Sequence, residues 1–236
     1  MFITKNYSTI TDDKDSFDWK KFFENETDFS SDNIDILKIF NELRDHLSEK
    51  NSQFGLVFNS FMKSLLRGTE FESNIKILEI GSGTGFLTRW LLSNYNGEGC
   101  LVDSCNESFK AFKAIQDMSH KIEFIQSDVF DLDIKETFDI VCSFGLIEHF
   151  EDKTRIMDAH KKNMDANGWG IIIVPLDSPL SRCFFEVHPE LNLGYRELLT
   201  ESEFRNILID NNLDIHKIVS SKGYVYDFIA ALVKKN

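Results

Sequence analysis

The sequence predicts an α/β fold, a doubly wound and mostly parallel sheet of seven strands that ends in an antiparallel hairpin. Three observations predict it. Between residues 75 and 211, short apolar runs alternate with stretches of helical spacing, the pattern of successive βαβ units. The first apolar run passes directly into a loop with three glycines, Glu79-Ile80-Gly81-Ser82-Gly83-Thr84-Gly85. The last two strand patterns, about 214–220 and 224–233, are separated by Ser221-Lys222-Gly223 with no helix between them, which makes them a hairpin.

The elements follow in order. In the first thirty-odd residues Asp12, Asp13, Asp15 and Asp18 are interleaved with Phe17, Trp19, Phe22, Phe23 and Phe29. Pure disorder would carry fewer aromatics, so this segment is expected to dock its rings on something. Phe54, Val57, Phe58, Phe61, Met62 and Leu65 fall at helical spacing and form a core-facing stripe. After the strand at 77–80 and the glycine loop, Phe86, Leu87, Trp90 and Leu91 keep helical spacing to about Tyr95, where Asn96-Gly97-Glu98-Gly99 stops it. Cys100-Leu101-Val102 is a short strand ending in Asp103-Ser104. A helix from about Glu107 to Met118 leads to the strand 122–126 and the turn Ser127-Asp128-Val129. The largely apolar runs 138–144 and 170–175 mark strands covered on both faces, with a helix at 152–165 between them that closes on Asn167-Gly168. Thr200 caps the last helix, to about Asn211, with Glu203 at the capping-box position.

Glycine at alternate positions is poor strand and poor helix, so the loop at 81–85 is needed with its backbone bare. A strand, a glycine turn and a helix start present free N–H groups at the carboxyl edge of a sheet, the place of a nucleotide-type ligand. The dinucleotide spacing fails, because its third glycine would fall where Phe86 stands, and no lysine is present in the loop to meet a phosphate. Glu79 instead suits a ligand carrying positive charge. Asp103 lies 22 positions beyond Gly81, the spacing at which an acidic residue accepts from ribose hydroxyls. The net charge of −13 repels polyanions and argues against nucleic acid and anionic membrane as partners. The four cysteines have no C-x-x-C spacing and are expected as free thiols. No segment is apolar for the length a bilayer needs, so a soluble, cytoplasmic protein is expected.

The loop Glu79-Ile80-Gly81-Ser82-Gly83-Thr84-Gly85 resembles motif I of the class I S-adenosylmethionine-dependent methyltransferases, and the order of elements over about residues 52–236 is similar to theirs. The resemblance implies a Rossmann-like sheet with a final antiparallel strand inserted in it, residues 51–236 as the catalytic domain, and residues 1–50 as an N-terminal lid. It implies S-adenosylmethionine as cofactor, held by Glu79, Gly81, Ser82, Gly83, Gly85, Asp103, Ser104, Asp128, Val129 and Phe144. Asp128 would accept from the adenine amine with Val129 beside the ring; its bland alternative is a turn aspartate.

Methyl transfer from a sulfonium needs alignment, exclusion of water and a nucleophile with a free lone pair. His149, directly after the fourth strand, is the candidate catalytic base, titrating near about 6.5 if unperturbed; the alternative is that Glu148-His149 only shapes the helix entry. Some relatives hold a divalent ion with Glu-x-x-Glu-His, but Gly145 stands at the first position here, and no metal is expected. The stretch from His188 to Thr200 resembles the segment after the fifth strand in small-molecule methyltransferases, with Tyr195 where that pattern has histidine. His188, Tyr195 and Arg196 are therefore candidate substrate contacts together with His149, and Phe58 is a candidate pocket wall. Arg196 would meet a substrate carboxylate, or else pair with Glu197 or Glu201 at the surface. The expected activity is methylation of a small-molecule acceptor, at oxygen rather than nitrogen, in secondary metabolism. The rivals are a non-catalytic cofactor-binding partner and an NAD-dependent oxidoreductase.

Overall fold

Strands with apolar side chains on both faces must be covered twice, and this requirement sets the layers. The computed structural model describes residues 2–4, 17–21, 53–71, 73–114, 121–188, 191, 193–222 and 226–236. Its elements are β1 (Phe2–Thr4), α1 (Gln53–Leu65), β2 (Ile75–Ile80), α2 (Phe86–Asn94), β3 (Gly97–Asp103), α3 (Asn106–Ala114), β4 (Lys121–Gln126) and β5 (Phe138–Phe144), then α4 (Lys153–Lys162), β6 (Met164–Pro175), α5 (Pro179–Val187), β7 (Arg196–Leu198), α6 (Glu201–Asp210), β8 (Leu213–Ser221) and β9 (Phe228–Lys235). A 3₁₀ turn, Ile147–His149, follows β5.

Seven strands form one sheet in the order β4-β3-β2-β5-β6-β9-β8. β2 through β6 pair in parallel, whereas β9 runs antiparallel to both of its neighbours, β6 and β8. The order reverses between β3 and β5 on either side of β2, so the carboxyl end of β2 is the switch point where ligands bind in such sheets. Alternation along the strands sorts the core into two. Leu78, Ile80, Val141, Ile172, Val174, Ile229 and Ala231 pack with Ile156, Met157, Phe204 and Leu208 on the α4 and α6 face. Ile75, Ile77, Ile140, Cys142, Ile171, Ile173 and Ala230 pack with Phe58, Phe61, Met62, Leu65, Leu87, Trp90 and Leu91 on the α1 and α2 face. Four of the residues in the expected α1 stripe, Phe58, Phe61, Met62 and Leu65, are thus core.

Several boundaries differ from the sequence reading. Gly97–Gly99 open β3 instead of forming a stop loop, because a Cβ at Gly97 would lie 2.1 Å from the Ile75 carbonyl oxygen and only glycine admits that approach. α4 ends at Lys162 rather than 165. Asn163 turns away there, its amide donating to Ile134 and Glu136 carbonyls at 2.9 Å each, and Asn167-Gly168 lie in β6 across a register shift opposite β5. The capping box at Thr200 forms as expected. α5 was not expected, although Ser178 as its cap and Pro179 in its first turn are a start signal. The antiparallel pair β1–β7, with Thr4 opposite Arg196, was not expected either. The expectations at 115–118, at Gly223 of the hairpin turn with the strand start at 224–225, and over most of the N-terminal segment lie outside the described residues, while Ser221, expected in the turn, ends β8. All four cysteines are free. Among the described residues no helix is long and apolar enough to cross a membrane.

Candidate functional site

The loop after β2 is built on positive φ. Gly81, Gly83 and Gly85 have φ of 60, 51 and 77°, a region that L side chains seldom enter. A Cβ at Gly81 would lie 2.5 Å from Leu146 Cδ1 as well, so the loop also rests directly on the segment after β5. The Ser82 amide donates to the Val102 carbonyl at 3.0 Å and the Gly85 amide to the Ser82 carbonyl at 2.8 Å. Asp103, at the end of β3, ties the next loop in: its Oδ2 accepts from the Gly83 amide and its Oδ1 from the Cys105 amide, each at 2.8 Å. Burial pushes the Asp103 carboxyl up from its ordinary range, with those amides opposing the shift. The loop after β4 joins through the Ser127 amide, which donates to the Asp103 carbonyl at 3.0 Å. Four loops therefore converge at one edge, those after β2, β3, β4 and β5.

Glu79 alternates with Ile75 and Ile77 and so faces the α2 side, only 2% exposed. Its Oε2 accepts from the Thr88 amide at 2.8 Å in the first turn of α2. The carboxyl thus ties the end of β2 to the first turn of α2. Burial pushes its pKa up to about 7. Ser104 and Asp128 are exposed; Asp128 Oδ1 accepts from the Phe130 amide at 2.8 Å, the local bond of a turn aspartate. Val129 and Phe144 are half-buried. Phe144 stacks on Phe58 with centroids 5.8 Å apart and planes at 19°. Phe58 itself, 1% exposed among Phe86, Trp90 and Phe144, is corrected from a pocket wall to a core residue that backs Phe144.

His149 lies 3% exposed in the 3₁₀ turn after β5. Its Nδ1 is 2.8 Å from the Tyr195 carbonyl oxygen. A carbonyl only accepts, so Nδ1 carries the proton and Nε2 keeps its lone pair. Burial, then the positive charges of Arg196 and Lys153, hold the imidazole pKa well below the ordinary 6.5, against the Tyr195 hydrogen bond. The ring is neutral at physiological pH, and the expectation of titration near 6.5 is corrected accordingly. Phe17 and Trp19 pack on it with centroids at 4.2 and 4.8 Å, so part of the aromatic N-terminal segment docks here. Phe17 also bridges to Gly194, and the Asp18 amide donates to the Leu193 carbonyl.

Glu148 Oε1 is 3.8 Å from His149 Nε2, too long for a hydrogen bond, and its buried Oε2 has no hydrogen-bond partner among the described residues. Burial raises its pKa to about 7. Arg196 is not at the surface: it is 6% exposed, donates to the Leu191 carbonyl at 3.1 Å, and lies 5.2 and 4.4 Å from the centroids of Phe17 and Phe185. Tyr195 is buried and its hydroxyl donates to Glu197. His188 is the C-cap residue of α5 and packs on Phe184, and its carbonyl accepts from the amide of Leu191, whose own carbonyl accepts from Arg196. Lys153, Glu197 and Leu146 were missed by sequence reasoning, because nothing local marks a residue whose partner is tens of positions away.

A parallel sheet with one antiparallel strand inserted near its edge, and glycine and aspartate loops at its switch point, define a Rossmann-like α/β sheet with its loops gathered where such sheets bind ligands. Residues 77–168 match the methyltransferase domain family. The chain is 24% identical over 215 residues to the ubiquinone biosynthesis O-methyltransferase of Rickettsia typhi, spanning 84% of this chain and 85% of that relative. Against the enzyme of the same description from Rickettsia prowazekii it is 23% identical over 214 residues, 84% and 83% of the two chains. A magnesium protoporphyrin IX methyltransferase from Synechocystis, solved with SAH, has a similar fold with a TM-score of 0.61 at 14% identity, covering 94% of this chain and 97% of that one. An S-adenosylmethionine-dependent methyltransferase from Clostridium acetobutylicum gives 0.60 at 13%, covering 84% and 98%. The methyltransferase-domain match, the O-methyltransferase relatives and the fold neighbours together support a class I S-adenosylmethionine-dependent methyltransferase. The edge fits that cofactor. Among the described residues Ser82 Oγ is buried without a hydrogen-bond partner, and each Asp103 oxygen accepts one amide and has a further lone pair.

Proposed function

We propose that this enzyme methylates a hydroxyl oxygen of a small-molecule acceptor, with Nε2 of His149 as general base. The observation that carries the reading is the 2.8 Å contact between His149 Nδ1 and the Tyr195 carbonyl, which leaves Nε2 unprotonated beside the sheet edge. A neutral amine already has its lone pair at working pH and needs no base before transfer; a hydroxyl gains from one. A built-in, neutral imidazole therefore favours oxygen. The relatives named as O-methyltransferases agree with that choice. Secondary metabolism, expected from the sequence, and ubiquinone biosynthesis, for which the relatives are named, share a small organic acceptor.

In this reading Asp103 would hold the ribose hydroxyls, Asp128 the adenine amine, and the loop at 81–85 the amino acid portion of the cofactor. When bound, S-adenosylmethionine supplies a methyl group on a sulfonium whose leaving group is neutral and needs no proton. The chain's own tasks are to align the acceptor oxygen, to take its proton at Nε2, and to keep water out with Phe17 and Trp19. The test is methyl transfer to a panel of phenols, alcohols and amines, read by mass spectrometry. His149→Gln should lower kcat by roughly 10²- to 10⁴-fold with cofactor affinity intact. Because the imidazole pKa is held down, the acid limb of kcat should lie well below pH 6.5 and disappear in the variant. Turnover of amines alone, or a kcat and pH profile unchanged by His149→Gln, would overturn the proposal.

A further inference from the structure

We infer that Lys153 and Glu197 are positioning residues for His149: with Tyr195 they form a buried clasp that holds the Tyr195 carbonyl against Nδ1 and so decides which ring nitrogen carries the proton. The inference rests on the base reading given above. The clasp joins two segments that are far apart in sequence. The Tyr195 hydroxyl donates to Glu197 Oε1. Glu197 Oε2 lies 2.6 Å from Lys153 Nζ, and that ammonium donates onward to the Phe150 carbonyl. Nζ also sits 5.7 Å from the centroid of the Tyr195 ring. With the His149–Tyr195 bond, the links close a ring between residues 149–153 and 195–197.

Two features argue that this ring is not incidental. Lys153 opens α4, where the positive end of the helix dipole disfavours a cation, yet its side chain is only 13% exposed. Glu197 supplies what offsets both penalties. On the extended segment Tyr195 and Glu197 share one face, two residues apart, while Arg196 takes the other face against Phe17 and Phe185. β1 braces this stretch from behind, with Ile3 opposite Glu197. If the carbonyl drifts, the protonated Nδ1 loses its acceptor and the imidazole is free to adopt the other tautomer, with N–H at Nε2, which cannot take a proton. The ionisable groups facing the ring are Glu148, Lys153 and Arg196, with Tyr195 and Glu197 behind them. The packed N-terminal segment presents Phe17 and Trp19, its Asp18 and Lys20 being exposed.

The experiment uses full-length protein labelled with ¹⁵N in histidine, the His149 signals being assigned by their loss in His149→Gln. Wild type should show one tautomer, Nδ1–H. Lys153→Met and Glu197→Gln should populate both tautomers and lower kcat by roughly 10- to 100-fold, the usual cost of losing a group that orients an imidazole, while cofactor affinity stays within about twofold. The acid limb of kcat should rise in pH in Lys153→Met, which removes a positive charge near the ring, and should not rise in Glu197→Gln, which leaves that charge unneutralised. A merely structural role would not split the two variants in this way. Tyr195→Phe, which deletes one hydroxyl, and the double variant Lys153→Met/Glu197→Gln, which leaves no unpaired charge, carry the test if either single variant fails to fold. Retention of the Nδ1–H tautomer in every variant, with turnover still dependent on His149, overturns the clasp alone. A mixed tautomer with undiminished kcat overturns the base reading and the role inferred with it.

Discussion

Glu148→Gln isolates the energetic cost of a carboxylate that has been buried without a full set of partners. Its Oε2 meets no donor among the described residues, and burial raises its pKa from 4.5 to about 7. A folded-state pKa above the unfolded one means the native protein holds the proton longer as pH rises. The stability from this group is therefore fully present below pH 4.5 and is lost between there and about 7. That interval corresponds to about 3 kcal/mol, which in a chain of this size is roughly 6–12 °C of Tm. Glutamine has the shape of the protonated acid and no charge to lose. Thermal unfolding of the ligand-free variant should therefore exceed wild type by up to about 3 kcal/mol at pH 8 and match it near pH 4.5. The nearby positive charges of Arg196 and Lys153 oppose the shift, and their effect is already contained in the raised pKa. An offset of the same size at both pH values, or a variant less stable at pH 8, would refute the reasoning.

Two further outcomes are expected. Asp103→Ala should weaken S-adenosylmethionine binding by about 1.5–3 kcal/mol in calorimetry, the range for a lost charged hydrogen-bond partner; unchanged affinity would move the ribose contact elsewhere. His160 titrates against the buried carboxylates. Its ring bridges the Ile156 carbonyl and Ser143 Oγ at 2.8 Å each, and burial lowers its pKa to about 4, so its stability is present above pH 6.5 and lost as pH falls toward 4. Glu79 and Glu148 change in the opposite sense over nearly the same window. In wild type the slopes should partly cancel, while Glu79→Gln/Glu148→Gln should lose stability steeply on acidification in denaturant titrations from pH 7 to 4; a flat profile in that variant would refute the assignment.

The parts of this architecture that were legible are those written locally. Alternation and apolar runs located seven strands, a glycine loop followed by Asp103 located the switch point, and Thr200 with Glu203 marked a helix start. What could not be read depends on backbone atoms brought together by the fold. No residue pattern tells that the carbonyl of Tyr195 will meet His149, or that Arg196 will be enclosed by Phe17 and Phe185 instead of facing water beside Glu197. The β1–β7 pair escapes for a related reason: three-residue strands carry no periodicity, and their partners lie at opposite ends of the numbering. At Asn163, a side-chain amide satisfying two carbonyls ended a helix that spacing alone would have extended.

The inserted strand β9 also has a consequence for how the chain comes off the ribosome. Residues 170–175 of β6 pair on one side with β5, which is made earlier, and on the other only with residues 228–233, which are made more than fifty positions later. β8 emerges before β9 as well, and has its ladder with β9 alone. Until the last strand arrives, a continuous apolar edge, Gly170-Ile171-Ile172-Ile173-Val174-Pro175, is open to any other extended chain, the kind of template that nucleates aggregation during synthesis. Nascent chains stalled or cut before residue 228 should thus be clients for chaperones that cover apolar segments, and the yield of this enzyme should depend on the rate at which its final strand is delivered more than on the stability of the finished sheet.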